Sequence, residues 1–519
     1  MTSRRTEFVP VAASLADVTG AEYAESVCRS RAWLTGGDAA ALRDLAFEPV
    51  EFLPDALYSR LVSLLSQVGE RVVSPAGSTC AGCSTRAFDA ATHCDQSPVS
   101  GLGWYRLGEN GVLRVMSKSE HYHASLGHSF PGYGLIDRAR SLGIPNATHN
   151  NTRGHICRLS EEALIRVANG MRSSGDESLE SVLAEPGRRV LNRVLNLQTG
   201  SLAAEAALKL CLARFYPQSD SRERPEWYGK TPVFVVIGDD SGGLAANYHG
   251  TTVTAQMLRG LWPSYLQAHR MQGMLEVQAV RPNENADLDR IFDRYAHGHY
   301  RIAGFVHEII MMNYGARTLS TDFLNHAYSL CDRHDVVTVV DEIQSCVWGD
   351  GLFSFREWGL SPSVVVVGKG FPGGEYAGSR ILFSSALDCM EQFGALVTNG
   401  QEELTSLAYL VTMRWAEANR DVIREVGDYY AERLEALADA HSDRIQAVSG
   451  HRHLSGLVFE DVEPAQAFAR ELVRQGFDIS VQSYKRNCPP VALTKLPVIA
   501  GFELVDFLVE RMESVLSAK

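Results

Sequence analysis

The chain has 519 residues, 45% of them hydrophobic and 21% charged, a globular composition that is too long for one ordinary core. Its 49 Lys and Arg against 62 Asp and Glu leave a net charge of −13, spread along the chain rather than gathered into a tail, which argues against a general binder of nucleic acid or of an anionic membrane. No apolar run approaches the roughly 20 residues of a membrane span. The residues after Arg4 and Arg5 lack the apolar stretch of a secretory signal, and the chain reads as cytoplasmic.

Residues 1–125 carry little periodic pattern beyond one helical stretch at 55–68, and 73–103 is rich in Gly, Ser, Thr and Pro. We read this part as an N-terminal extension. Within it Cys80-Ala-Gly-Cys83 and His93-Cys94 offer four soft ligands, enough for a tetrahedral zinc site. Adjacent His93 and Cys94 are an awkward pair for one metal, however, so free surface thiols are the reading adopted and no metal is assigned. The other cysteines, such as Cys211, Cys331 and Cys346, sit in apolar segments and read as small hydrophobes.

From 126 to 400 short apolar runs alternate with amphipathic stretches. The runs fall at 190–197, 233–237, 275–280, 302–310, 336–340, 364–367 and 381–383, with helical periodicity at 202–216, 287–295 and 321–334 between them. Strands that are apolar throughout imply a sheet covered on both faces, and alternation with helices implies mostly parallel order, so this is a large α/β domain. Residues 401–519 read as a smaller α+β domain: one long helix at 402–438, a strand pair at 445–459, and helices at 465–475 and 502–516.

The strongest chemical signal is Asp341-Glu342-Ile343-Gln344 followed by Gly368-Lys369-Gly370, each placed where an apolar strand runs out. Carboxyl ends of parallel strands are where such sheets bind ligands. A lysine on a glycine-flanked turn is a candidate Schiff-base nucleophile, because burial lowers its proton affinity and glycines admit a bulky ring. An aspartate opposite would keep a pyridine nitrogen protonated, making the ring an electron sink. Gly200 and Ser201 open a helix after a strand, a phosphate cradle by geometry, and Tyr248 offers an aromatic face. Singly, each has a plain structural reading: a loop cap at Asp341, a solvated Lys369, a helix cap at Ser201, a core Tyr248. Together they describe one cofactor, pyridoxal phosphate.

These motifs, with Thr199 to Glu205 and Tyr248-His249-Gly250, resemble in order those of the class III, ω-aminotransferase-like branch of the fold-type I pyridoxal phosphate enzymes over about residues 115–519. The 28-residue step from Asp341 to Lys369 fits as well. The resemblance implies a large mostly parallel sheet domain with a smaller α+β C-terminal domain. It implies that Lys369 holds the cofactor covalently, Asp341 pairs with the pyridine nitrogen and Gln344 touches the ring hydroxyl. Gly200 and Ser201 would hold the phosphate, and Tyr248 would stack on the ring. Glu308 takes the place of the family's Glu-Pro glutamate. Thr398 would reach the phosphate of a neighbouring subunit, placing the active sites at a homodimer interface. Arg486, in Arg-Asn-Cys-Pro-Pro, would fork onto a substrate α-carboxylate through two parallel hydrogen bonds.

The departures from the family pattern concern polarity. Leu202 and Ala204 replace polar residues after the phosphate-binding hydroxyl, Thr251 stands where an Arg often follows His-Gly, and Cys346-Val347-Trp348-Gly349 replaces Gly-Phe-Gly-Arg. The first 115 residues exceed the usual N-terminal segment, and a long extension can close over the substrate entrance. The leading expectation is therefore an aminotransferase acting on an amino acid or amine through Lys369. The alternative is non-transaminating chemistry on the same fold: epimerisation, amino-group migration, decarboxylation, or β- or γ-elimination. A non-catalytic or zinc-binding scaffold is the distant third, and the intact Asp341 and Lys369 count against it.

Overall fold

The structure, a computed structural model, describes residues 4–175, 177–219, 223–482 and 488–518. Seven strands form its central sheet: β1 (Arg193–Leu197), β2 (Thr231–Ile237), β3 (Glu276–Val280), β4 (Tyr300–His307), β5 (Val337–Asp341), β6 (Val364–Val367) and β7 (Ser379–Phe383). They lie in the order β1-β7-β6-β5-β4-β2-β3. Only β7 runs against the others, pairing antiparallel with both β6 and β1. The reason for the continuous apolar runs is direct. Val337, Val339, Val364 and Val366 face one core cluster while Val340, Val365 and Val367 face the other, so the sheet is buried on both sides.

The C-terminal part holds a four-stranded antiparallel sheet, Ile445–His451, Leu454–Phe459, Val491–Lys495 and Ser480–Gln482 in that spatial order, with helices Val462–Arg474 and Phe502–Ser517. The single helix expected at 402–438 is two, Glu403–Ala418 and Arg420–Ala440, separated at Asn419. That asparagine is diverted to another task. Its Oδ1 accepts from the Val9 amide at 2.7 Å and its Nδ2 donates to the Val9 carbonyl at 3.3 Å, which ties the start of the chain to this joint.

The N-terminal segment is more ordered than its weak periodicity suggests. Besides Asp55–Ser63 it holds helices Ala21–Thr35 and Ala39–Phe47 and a three-stranded antiparallel sheet of Pro98–Leu102, Tyr105–Gly108 and Leu113–Val115. The helix Ala21–Thr35 buries only Ala24 and Cys28, side chains too small to write an apolar stripe. Glu503 of the last helix accepts from Thr6 Oγ1 and from Tyr58 Oη, both at 2.8 Å, and Val115 bridges Phe477. The extension thus packs on the C-terminal sheet and helices. Between them, Cys80, Cys83 and Cys94 are exposed free thiols and His93 is exposed; among the described residues no three metal-ligating side chains converge.

Candidate active site

Four of the motifs lie beyond the carboxyl ends of strands that run parallel in the central sheet. Asp341 is the last residue of β5, Glu308 follows the last residue of β4, Lys369 follows β6 after one glycine, and Thr199-Gly200-Ser201 links β1 to the helix Gly200–Leu212. Thr199, Gly200, Ser201, Tyr248, Gly250, Asp341, Ile343, Gln344 and Lys369 line one cavity.

Lys369 has φ of +33°, a left-handed setting that costs a residue with a Cβ on the order of 1 kcal/mol. The following turn needs glycine: a Cβ on Gly370 would lie 2.7 Å from the Trp348 ring and 3.0 Å from the Cys346 carbonyl. Burial lowers the proton affinity of Lys369, opposed by the nearby carboxylates of Glu308 and Asp341.

The Asp341 carboxylate is held from two sides. Its Oδ1 accepts from the Ile343 amide at 3.1 Å, and its Oδ2 lies 2.9 Å from Nδ1 of His249, both side chains being buried. A carboxylate oxygen can only accept, so Nδ1 carries the hydrogen. Behind this pair His307 is fully buried, stacked on Phe305 with ring centroids 4.8 Å apart, and burial pushes its pKa down to about 3, keeping it neutral. Gln344 donates to Glu308 Oε1 at 3.0 Å while its own Oε1 is buried with no protein partner.

At the other end of the cavity the amides of Gly200 and Ser201 begin a 13-residue helix whose cap position supplies no side-chain hydrogen bond. Ser201 Oγ accepts from the Thr251 amide at 3.0 Å. A Cβ on Gly250, φ +104°, would fall 2.7 Å from Ser201 Cα, so glycine alone lets the Tyr-His-Gly loop reach this helix end. The Arg259 guanidinium lies over the Tyr248 ring, 5.2 Å from its centroid.

These groups suit pyridoxal phosphate: free helix amides and a hydroxyl for a phosphate, a braced carboxylate for a pyridine nitrogen, an orphaned amide oxygen at Gln344 and a desolvated lysine. Thr398 does not join them; it is exposed on the loop before Glu403–Ala418, outside the cavity lining. Arg486 lies outside the described residues. Two charged neighbours were not anticipated. Lys495, wholly buried at the end of its strand, donates to the Gln344 carbonyl and sits 3.5 Å from the centroid of the Trp348 ring. Lys118, also buried, reaches Ser480 Oγ at 2.5 Å. Nothing in the apolar sequence around 491–499 flagged Lys495, whereas His249 was visible inside Tyr-His-Gly.

Residues 161–504 match the family model described as aminotransferase class-III. The chain belongs to that family. An acetylornithine aminotransferase of Aquifex aeolicus is 26% identical over 37% of this chain, which spans only half the length of that protein. An ornithine aminotransferase of Emericella nidulans is 25% identical over 63% of this chain and 71% of its own length. A phospholyase from Arthrobacter, solved with phosphoethanolamine, superposes with a TM-score of 0.62 at 19% identity, covering 81% of this chain and 94% of that one. The class III aminotransferases are pyridoxal phosphate enzymes of fold type I, and this chain is a pyridoxal phosphate-dependent transferase of that class with that fold.

Proposed function

We propose that this chain moves the amino group of an amino acid or amine, with Lys369 as the residue that carries the cofactor and later handles the substrate proton. Pyridoxal phosphate, when bound, supplies an electron sink for negative charge at the carbon beside the amine. Ser201 and the Gly200 amide hold its phosphate and Tyr248 covers its ring. Gln344, braced by Glu308, faces its hydroxyl, and Asp341, braced by His249, faces its nitrogen. Once displaced, the Lys369 amine takes the proton from the substrate carbon and returns it elsewhere, one group acting as base and then acid. Its lowered proton affinity suits it to the first role.

The observation that carries this reading is one cavity lined by Ser201, Tyr248, Asp341, Gln344 and Lys369. By resemblance, Arg486 clamps the substrate carboxylate, and Thr398, exposed on its loop, completes the phosphate site of a second copy, so the working unit is a homodimer. A chain with only ten cysteines in 519 residues is no disulfide scaffold, which fits the reducing cytoplasm as its location. A second reading, elimination or another non-transaminating reaction, is favoured by the replacement of Gly-Phe-Gly-Arg with Cys346-Val347-Trp348-Gly349 and by the phospholyase among the structural neighbours. Mixing the yellow holoprotein with a panel of amino donors decides between them. Transamination bleaches the visible band stoichiometrically until a 2-oxo acid restores it. A donor that yields ammonia or an epimer with the band retained would overturn the aminotransferase reading.

A further inference from the structure

The chain is acidic as a whole, yet one groove on its surface is basic. It lies beside the joint where Asn419 holds the Val9 backbone, between residues 10–12, the loop after the helix His155–Ala168, and the meeting ends of Glu403–Ala418 and Arg420–Ala440. Arg172, Arg356, Arg414 and Arg420 line it, against two carboxylates, Glu417 and Asp421. None of its lining residues belongs to the cavity at Lys369.

Both acids are already engaged. Glu417 accepts from the Ser173 amide at 3.0 Å and from the Ser173 hydroxyl, and Asp421 pairs with Arg424 at 2.7 Å. Arg420 in turn pairs with Asp350 at 3.2 Å. Arg172, Arg356 and Arg414 make no ion pair within 4.0 Å with a carboxylate among the described residues. Arg356 donates to the Ala168 carbonyl at 3.1 Å and Arg414 to the Asp17 carbonyl at 3.4 Å, contacts that orient a guanidinium without neutralising it. A Cβ on Gly170, φ +84°, would lie 2.4 Å from Nη2 of Arg356, so glycine makes room for that side chain. Loss of part of its water lowers the proton affinity of Arg356, with no acid near enough to oppose it. The groove continues past Ser174 and Arg414 to Arg166, whose Nη1 is buried without a hydrogen bond and has Glu177 only at 3.9 Å. On that stretch the Asp17 carboxylate accepts from the Ser14 amide and hydroxyl, both at 2.8 Å, and Glu162 is exposed.

We propose that this groove binds an anion with two linked phosphate groups, a diphosphate or a diphosphate ester, on Arg172, Arg356 and Arg414. Each guanidinium offers a planar fork that fits two phosphate oxygens. Three of them without counter-charge, brought together from three segments of the chain, match the adjacent negative charges of a diphosphate better than the single charge of a carboxylate. The site is separate from the reacting centre, and its occupancy does not depend on the chemistry at Lys369.

Isothermal titration of the holoprotein with inorganic pyrophosphate, orthophosphate, succinate and hexaglutamate, without divalent cations and at fixed ionic strength, tests this. Pyrophosphate is expected to bind about ten times more tightly than orthophosphate or succinate. Arg172→Gln and Arg356→Gln, both at exposed positions, should each weaken it about tenfold or more, since each removes hydrogen bonds to a charged group. Arg356→Lys keeps the charge but loses the fork and should weaken it about threefold or more. The visible absorbance of the holoprotein should stay the same in all three variants, because neither position lines the cofactor cavity. Pyrophosphate bound no more tightly than succinate overturns the proposal. Equal binding by Arg356→Gln and the unaltered protein also overturns it and places the pyrophosphate elsewhere on the chain. Tighter binding of hexaglutamate than of pyrophosphate overturns it as well and gives the groove to an acidic peptide.

Discussion

His249 shows how much of the candidate site's geometry is held one residue away from the groups proposed to touch the cofactor. In the proposed function Asp341 faces a ring nitrogen, and His249 at 2.9 Å fixes one of its oxygens. Replacing it with Phe keeps the shape but removes a hydrogen bond to a charged group, an interaction of about 1.5–3 kcal/mol. We expect His249→Phe to lower kcat/KM by about ten- to a hundredfold, measured by steady-state kinetics, with the cofactor still fixed to Lys369 by borohydride; unchanged kinetics would remove His249 from the mechanism. At this scale the sequence was legible where function is written in short motifs. Asp341, Lys369, Ser201 and Gln344 sit just past strand ends that apolar runs announce, Tyr248 on the longer loop after β2, and they converge on one cavity. Lys118 and Lys495 were not legible, because their closeness to Lys369 depends on a long-range meeting of the extension with the C-terminal sheet, which no local pattern encodes.

Among the elements, the turns after the strands do the positioning. Gly250 lets one loop touch the start of the helix Gly200–Leu212, and a methyl group there would lie 2.7 Å from Ser201 Cα at a φ, +104°, that alanine avoids. Gly250→Ala should therefore weaken cofactor binding at least tenfold, read by titrating the apoprotein with pyridoxal phosphate, while the far-ultraviolet circular dichroism stays the same; unaltered affinity would contradict the cradle. After β5, Glu342 is wholly buried and accepts from the amides of Ser354 at 2.8 Å and Phe355 at 2.5 Å. Burial outweighs these bonds and pushes its pKa from 4.5 up to about 7. The folded chain then keeps a proton that the unfolded chain has released. Its stabilising contribution is complete below pH 4.5 and is lost as pH rises through about 7. Urea unfolding of the apoprotein should show a loss of up to about 3 kcal/mol across that window from this group, and Glu342→Gln should flatten it; an unchanged profile in the variant would place the titration elsewhere. Element type was readable for β1 to β7 because both-face burial writes continuous apolar runs. The helices Ala21–Thr35 and Ala39–Phe47 escaped because few large side chains mark their buried faces, and the break at Asn419 escaped because it serves a distant contact with Val9.

For the whole molecule, the exposed Thr398 loop and the exposed apolar side chains Val253, Leu261, Trp262 and Tyr265 suit burial against a second copy. Sedimentation of the holoprotein should give about 114 kDa, twice 57.0 kDa, and Thr398→Val should weaken cofactor retention without dissociating the dimer. A fully active monomer would contradict both. All of this turns on one covalent assignment. Reduction of the holoprotein with borohydride, proteolysis and mass mapping should place the pyridoxyl group on the peptide containing Lys369 and on no other. A label on Lys118, on Lys495 or on no lysine would contradict the account.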